Sequence, residues 1–287
     1  LNTSRYADLK SRKFSGVIWK RGNKFTMSER MPVIFVGHGS PLNAIENNKY
    51  TAAWSGIAEK IERKPAAILC ISAHWFTPGS RVADSSEPKM IYDMYGFPDE
   101  LYKVVYPAPG SPGFARLTRE LIGDKVQFDN SRGLDHGTWS VLCRIYPEAD
   151  IPVFQLSVDS RALAEEYLNI GRKLRSLREQ GVLILGSGNV VHNLARVSWN
   201  MDGGYSWAED FDNYIKENIL SRKDENIVHF ERAGASASLA VPSMDHFAPL
   251  LYVLGAADGT DHVRIFNDSC ALGALSITSC LFAPNLD

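Results

Sequence analysis

Two histidines stand just past two apolar runs of this chain, His38 in VIFVGHGSP and His74 in AAILCISAHWFT. Imidazole titrates near neutrality and, as the neutral ring, binds transition metals, so its repetition in one local setting points to chemistry. Five further histidines are present: His136 in LDHGTWS, His192 in GSGNVVHN, His229 in IVHFERAG, His246 in PSMDHFAPL and His262 at the head of HVRIF. Taken singly, each is most simply a partly buried ring with a satisfied hydrogen bond. A converging set instead fits a divalent metal of intermediate softness, Fe(II) or Zn(II), better than Mg or Ca, which prefer oxygen.

Whether they converge depends on the elements that carry them. PVIFVG at 32–37, AAILCI at 66–71, IPVFQL at 151–156 and VLILG at 182–186 are continuous apolar runs, the pattern of strands buried on both faces. Helical patterns separate them, at about 50–62, at 112–122 behind Pro112, at 138–145 and at 207–220. The clearest is the stripe Leu163, Tyr167, Ile170, Leu174 and Leu177, which Ser160 is expected to cap and Gly181 to end. LLYVLGAA at 250–257 and the strand candidates HVRIF at 262–266 and ALSIT at 274–278 close the chain. The alternation predicts an α/β fold, a single domain with a central, mostly parallel sheet flanked by helices.

In such a sheet His38, His74 and His192 fall on one edge, past the carboxyl ends of their strands, where open parallel sheets place their ligands. His246 lies ahead of a helix that can take Pro249 in its first turn. His229 and His262 lack this setting and are expected at the surface or at caps. Residues 80–110 are irregular and rich in aromatics, Tyr92, Tyr95, Phe97, Tyr102 and Tyr106 among them. A long irregular insertion is expected to act as a lid or pocket wall, with a covering loop as the plainer reading. Tyr92, Phe97 and Tyr106 are the rings expected to face a ligand, and Trp75 is expected to pack behind His74.

Other chemistries fare worse. GHGS and GSGN are neither GxGxxG opening a helix nor a Walker loop, and GHGSP is not GxSxG, so nucleotide binding and serine hydrolysis are weakly supported. Gly37, Gly39, Gly186 and Gly188 are expected to turn the backbone sharply beside a crowded pocket. Lys and Arg number 31 against 33 Asp and Glu, a formal charge of -2, so no basic excess points to nucleic acid or an acidic membrane. The four cysteines form no CxxC pair and read as buried, reduced thiols, which sets the expected location as cytoplasmic. Residues 1–30 form a basic extension, expected to be loosely ordered, with no apolar stretch long enough for a signal peptide or anchor; its Arg-rich, acid-poor character also leaves organelle targeting open.

GHGSP at 37–41, SAHWF at 72–76, YPAPGSP at 106–112, LDHGTW at 134–139, GSGNVVHNL at 186–194 and DHFAPLLYVLGA at 245–256 occur in order. Together they resemble the 4,5-DOPA extradiol dioxygenase family, within the class III extradiol ring-cleaving enzymes related to protocatechuate 4,5-dioxygenase. The likeness runs from residue 31 to about 280 and implies that 31–287 is an extradiol dioxygenase catalytic domain. It implies an aromatic-ring-opening enzyme that uses non-haem Fe(II) and O2 to open a catechol such as DOPA, with Zn(II) a frequent occupant of the protein as isolated. On the matched positions His38, His74 and His246 are metal ligands. His192 is either a further metal contact or the acid–base residue, and His136 helps to bind or protonate substrate. Three imidazoles leave the site about one charge more positive than the two-His, one-carboxylate set usual for non-haem iron, with Asp245 beside the third position but expected to point elsewhere. A zinc-dependent enzyme of another reaction class, or a metal-binding homologue without turnover, are the alternatives.

Overall fold

The structure is a computed structural model and describes residues 30–61 and 63–286. The basic extension therefore lies outside the described residues, apart from Arg30. In chain order the elements are β1 (Val33–Gly37), α1 (Lys49–Ser55), β2 (Ala67–Thr77), β3 (Arg81–Ala83), α2 (Pro112–Ile122), β4 (Gln127–Asp129), α3 (His136–Ile145), β5 (Val153–Asp159) and α4 (Ala164–Leu174). After them come β6 (Val182–Gly188), α5 (Ser206–Leu220), α6 (Asp224–Val228), α7 (Ala235–Ala240), α8 (Ala248–Ala256), β7 (His262–Phe266), β8 (Cys270–Ala271), β9 (Leu275–Ser276) and β10 (Ser279–Ala283).

Among the described residues the main sheet has eight strands in the order β4-β3-β5-β2-β6-β1-β10-β7. Its four central strands, β5, β2, β6 and β1, are mutually parallel. Antiparallel pairing enters only toward the margins, where β3 meets β5 on one side and β10 joins β1 to β7 on the other. The central strands are apolar without interruption because both of their faces are covered. Val33, Phe35, Leu69, Ile71 and Ile184 face a cluster completed by Tyr167, Phe211 and Leu250 from α4, α5 and α8. Ile34, Val36, Ile68, Cys70 and Leu185 face a second cluster completed by Trp54, Trp139 and Leu142 from α1 and α3. Each such side chain, fully buried, contributes about 1.5–3 kcal/mol.

Helix α8 is buried at every position, the mark of a helix enclosed on all sides. It packs so closely on α4 that a Cβ on Gly171 would lie 2.1 Å from the Tyr252 carbonyl oxygen. Below it, at the end of the sheet away from the histidines, the fully buried Arg178 guanidinium bonds both carboxylate oxygens of Asp261, at 2.7 and 3.0 Å, and the carbonyls of Met31 and Ala256. That pairing leaves no buried charge unsatisfied and ties the start of β1 to the end of α8.

Several boundaries differ from expectation. The run 66–71 does not hand over to a loop: β2 continues to Thr77, with a register shift against β5 between Ile71 and Phe76. The helix of the 163–177 stripe begins at Ala164, and its first turn is closed by the Glu166 carboxylate accepting from the Leu163 N–H, so Ser160 does not cap it. Gly181 does end that segment, in the left-handed region at φ 84°. The candidate strand 274–278 yields only β9, and the sheet strand is β10, whose residues are all buried. Among the glycines beside the pocket, only Gly39 has a positive φ, at 59°. Gly37, Gly186 and Gly188 stay in strand geometry and are needed for close approach, since a Cβ on Gly188 would lie 2.2 Å from the His246 carbonyl oxygen.

Candidate metal centre and active site

The parallel strands deliver the histidines as their order requires. His38 directly follows β1, His74 lies within the extended part of β2, and His192 comes four residues after β6, on three adjacent strands. His136 opens α3, where Asp135 caps the helix by accepting from the Thr138 N–H. His246 precedes α8, with Pro249 in its first turn, and its carbonyl oxygen accepts from the Asn189 N–H just past β6. All five converge. One ring nitrogen from each of His38, His74 and His136 lies within 4.8 Å of the others. The His246 ring centroid is 5.3 Å from that of His38 and 5.1 Å from that of His74, and His192 stacks on His246 at 3.4 Å. His229 sits instead between Glu165 and Glu231 on the surface, and His262 is exposed at the head of β7.

The hydrogen bonds assign the rings' protons. The Ser187 hydroxyl donates to the Gly137 carbonyl at 2.6 Å, so its oxygen accepts from His38 Nδ1 at 3.0 Å. His246 Nδ1 donates to Asp245 Oδ2 at 2.8 Å. Both rings are thereby left with an Nε2 lone pair. His246 Nε2 is buried with no hydrogen-bond partner, and His38 Nε2 faces His74 Nε2 at 3.1 Å. Burial, followed by repulsion from the neighbouring rings, pulls His38 and His74 well below the ordinary imidazole range and takes His192 down to about 3. These rings are neutral and converge on a common space, the protonation state a metal requires of imidazole. The donor set fits a divalent metal, and the orphaned His246 Nε2 is hard to account for without one.

Around this set lies a layer of residues that sequence reasoning missed. Asp93 accepts from both the backbone N–H and Nδ1 of His136 through Oδ1, each at 3.0 Å, and its Oδ2 stands 3.8 Å from His74 Nδ1. Burial works against the ionised Asp93, but the bonds from His136 outweigh it and hold the carboxyl below its usual range. Asp135, fully buried, accepts from Ser72 Oγ, Arg132 Nη2 and Gln155 Nε2, each at 2.7 Å. Arg132 also donates to the His74 carbonyl at 3.2 Å and lies over the Trp75 ring at 5.3 Å. Trp75 is thus buried behind the strand, supporting His74 through Arg132. No local pattern marks Asp93 or Arg132 in the sequence; the DH pairs at 135–136 and 245–246 were visible, but not what their carboxylates bind.

The irregular segment after β3 is less of an aromatic lid than its composition promised. Tyr106 is buried in the core, its hydroxyl donating to the Tyr146 carbonyl at 3.0 Å, because a buried phenol needs a partner. Tyr92 is partly exposed, its ring 5.7 Å from Trp139 and its hydroxyl bonded to the Val104 carbonyl, while Tyr95 is 92% exposed. What the segment brings to the histidines is Asp93.

The family described as the catalytic LigB subunit of aromatic ring-opening dioxygenase matches residues 32–277. A 4,5-DOPA dioxygenase extradiol of Escherichia coli K12 is 43% identical over 259 residues, covering 88% of this chain and 94% of its own. One from Beta vulgaris is 38% identical over 259 residues, covering 86% and 95%. The crystal structure of an uncharacterized protein from Escherichia coli K12 superimposes with a TM-score of 0.77 at 40% identity, over 88% of this chain and 99% of that one.

Proposed function

This chain belongs to the family of the catalytic LigB subunit of aromatic ring-opening dioxygenase, and we propose that it is an extradiol dioxygenase that opens catechols such as DOPA with Fe(II) and O2. The observation that carries the reading is the convergence of the histidine rings, with His38 and His74 Nε2 3.1 Å apart and His246 Nε2 buried without a partner. These three would hold the metal. When bound, iron(II) supplies a redox-active Lewis acid that brings an electron-rich ring and O2 together. Zinc, with similar ligand preferences, is the expected occupant of protein prepared without iron.

The remaining residues handle orientation and protons. The His192 ring is parallel to that of His246, 5° apart and stacked at 3.4 Å. With His246 holding the metal, His192 would be left to take the proton of a diol hydroxyl as the ring docks. Burial and the neighbouring His246 take its pKa down to about 3, which keeps the ring neutral before the substrate docks. His136, tethered by Asp93, is positioned to contact the substrate with its other nitrogen. Asp93 and Asp245 place negative charge beside His136 and His246, offsetting part of the extra positive charge of an all-histidine ligand set. A cytoplasmic location belongs to the same proposal and rests on four free cysteines; among the described residues no helix is long and apolar enough to cross a membrane.

The test is anaerobic reconstitution with Fe(II), then oxygen uptake and product absorbance with DOPA, catechol and protocatechuate. Uptake matched one to one by a ring-opened product is expected. Iron bound in full with no diol consumed would count against the proposal, and turnover with zinc in the absence of oxygen would move the assignment to another reaction class on this scaffold.

A further inference from the structure

We propose that Asp93 is a positioning residue for the ring-opening reaction, fixing the His136 imidazole in the tautomer that carries its proton on Nδ1. The inference rests on the functional reading above for its kinetic part alone. Asp93 reaches the site from the irregular stretch between β3 and α2, so that stretch is part of the catalytic apparatus rather than a cover over it.

The geometry is specific. Asp93 Oδ1 accepts two N–H groups of the same residue, the backbone N–H and the ring Nδ1 of His136, both at 3.0 Å. The first contact fixes where the carboxylate lies relative to the start of α3, and the second fixes which way the ring faces and where its proton sits. With Nδ1 engaged, the other nitrogen presents a lone pair to whatever occupies the space among the histidines. Asp93 Oδ2, at 3.8 Å from His74 Nδ1, is too far for a hydrogen bond but faces the ring that packs on His136, their centroids 3.8 Å apart. A single carboxylate therefore borders one ring proposed to bind metal and one proposed to bind substrate. The segment itself is anchored independently of Asp93: the Ile91 N–H donates to the Leu134 carbonyl at 2.7 Å, the Ile91 carbonyl accepts from Trp139 Nε1 at 3.0 Å, and Leu101 and Tyr106 are core residues. Loss of the Asp93 carboxylate should consequently free the His136 ring without unseating the segment.

The experiment compares D93A and D93N with the unmodified protein, using ¹⁵N-histidine-labelled, zinc-loaded enzyme for ring-nitrogen NMR and iron-reconstituted enzyme for kinetics. The His136 resonances are identified by their disappearance in H136Q. In the unmodified protein Nδ1 is expected as the protonated nitrogen, and in D93A the pattern should move to the other tautomer or to a mixture. The D93N amide oxygen can accept the same two N–H groups, so it should retain the original pattern in large part. In kinetics D93A is expected to lose about 10- to 100-fold in kcat with KM changed less, and D93N to lose less than D93A. Metal content and melting temperature should match the unmodified protein. An unchanged His136 tautomer in D93A, a kcat within about twofold of the unmodified enzyme, or a loss of activity that only follows loss of metal or of fold would each overturn the proposal. Should the unmodified enzyme turn over no diol, the functional reading fails, and the NMR comparison still decides what Asp93 does to His136.

Discussion

His192 lies flat against His246, the two rings parallel to within 5° and 3.4 Å apart. A stack of that kind separates roles that sequence resemblance leaves open. If His246 Nε2 holds the metal, His192 would be left for protons. H246A should therefore lose bound metal. H192Q should keep metal at the unmodified level while kcat falls on the order of 10²- to 10⁴-fold, the span typical of a missing general base. Metal analysis of the two variants beside steady-state kinetics separates them, and loss of metal from H192Q would show that the stack opens when the ion binds.

The tight group formed by His38, His74 and His136 competes with the set His38, His74 and His246 for the ligand assignment. Both His136 and His246 have Nδ1 engaged by a carboxylate, Asp93 and Asp245, but His246 Nε2 is also buried without a partner, so the second set is the one with an unmet need. H38A and H74A are expected to lose nearly all metal, H246A likewise, and H136A to retain it. Removal of the metal by a chelator should lower the melting temperature of the unmodified protein, since an ion that binds only the folded state adds about 2.7 kcal/mol at a hundredfold excess over its dissociation constant. In H38A the same chelator should produce no shift. Retention of metal by H246A together with loss from H136A would reassign the third ligand.

Much of this site was legible in the chain because parallel strands impose it. His38, His74 and His192 each follow an apolar run of two-sided burial, and adjacency of β2, β6 and β1 brings them together whatever their separation in sequence. His246 was legible through Pro249, which announces a helix start. The layer behind them was not. Asp93 sits in a stretch with neither strand nor helix period, and Arg132 serves through its contacts with the His74 carbonyl, Asp135 and Trp75, which only the folded chain creates. Tyr106 was misread because its neighbours Pro107 and Pro109 suggest a surface loop, whereas the ring fills the core beneath α3. The extension of β2 through His74 was hidden by the polar residues Ser72 and His74, which face the site rather than solvent and so break the apolar run without ending the strand.

The metal-free protein should lose stability as pH falls below neutrality. In the unfolded chain these histidines take up protons near pH 6.5, whereas in the folded chain burial keeps His38 and His74 neutral far below that and His192 neutral to about 3. Between those limits the unfolded state binds more protons, so stability rises with pH and is lost progressively as pH drops from about 6.5. Each such ring contributes a slope of at most about 1.4 kcal/mol per pH unit. Denaturant melts of chelator-treated protein at pH 7.5, 6.0 and 5.0 measure the slope, and H192Q should make it shallower. A stability independent of pH over that range would mean that the rings take up protons in the folded, metal-free state as they do in the unfolded chain.

Asp135 is the residue whose loss should disturb two histidines at once. Its carboxylate is fully buried, caps α3 immediately before His136, and accepts from Ser72 Oγ, whose oxygen in turn accepts from the His74 N–H at 3.3 Å. Arg132 completes the group by joining Asp135 to the His74 carbonyl. Removing one partner of a buried ion pair leaves the other charge uncompensated, so D135A is expected to cost about 3–5 kcal/mol, or on the order of 10 °C in melting temperature, with metal retention weakened. S72A removes a hydroxyl that donates to the Asp135 carboxylate and accepts from the His74 N–H, and should cost about 1.5–3 kcal/mol. Because both act through the same carboxylate, the double variant S72A/D135A should be no less stable than D135A by more than a few tenths of a kcal/mol, a coupling that a denaturant-based double-mutant cycle resolves. Full additivity of the two losses would show that Ser72 supports His74 independently of Asp135, and that the two histidines are held by separate networks.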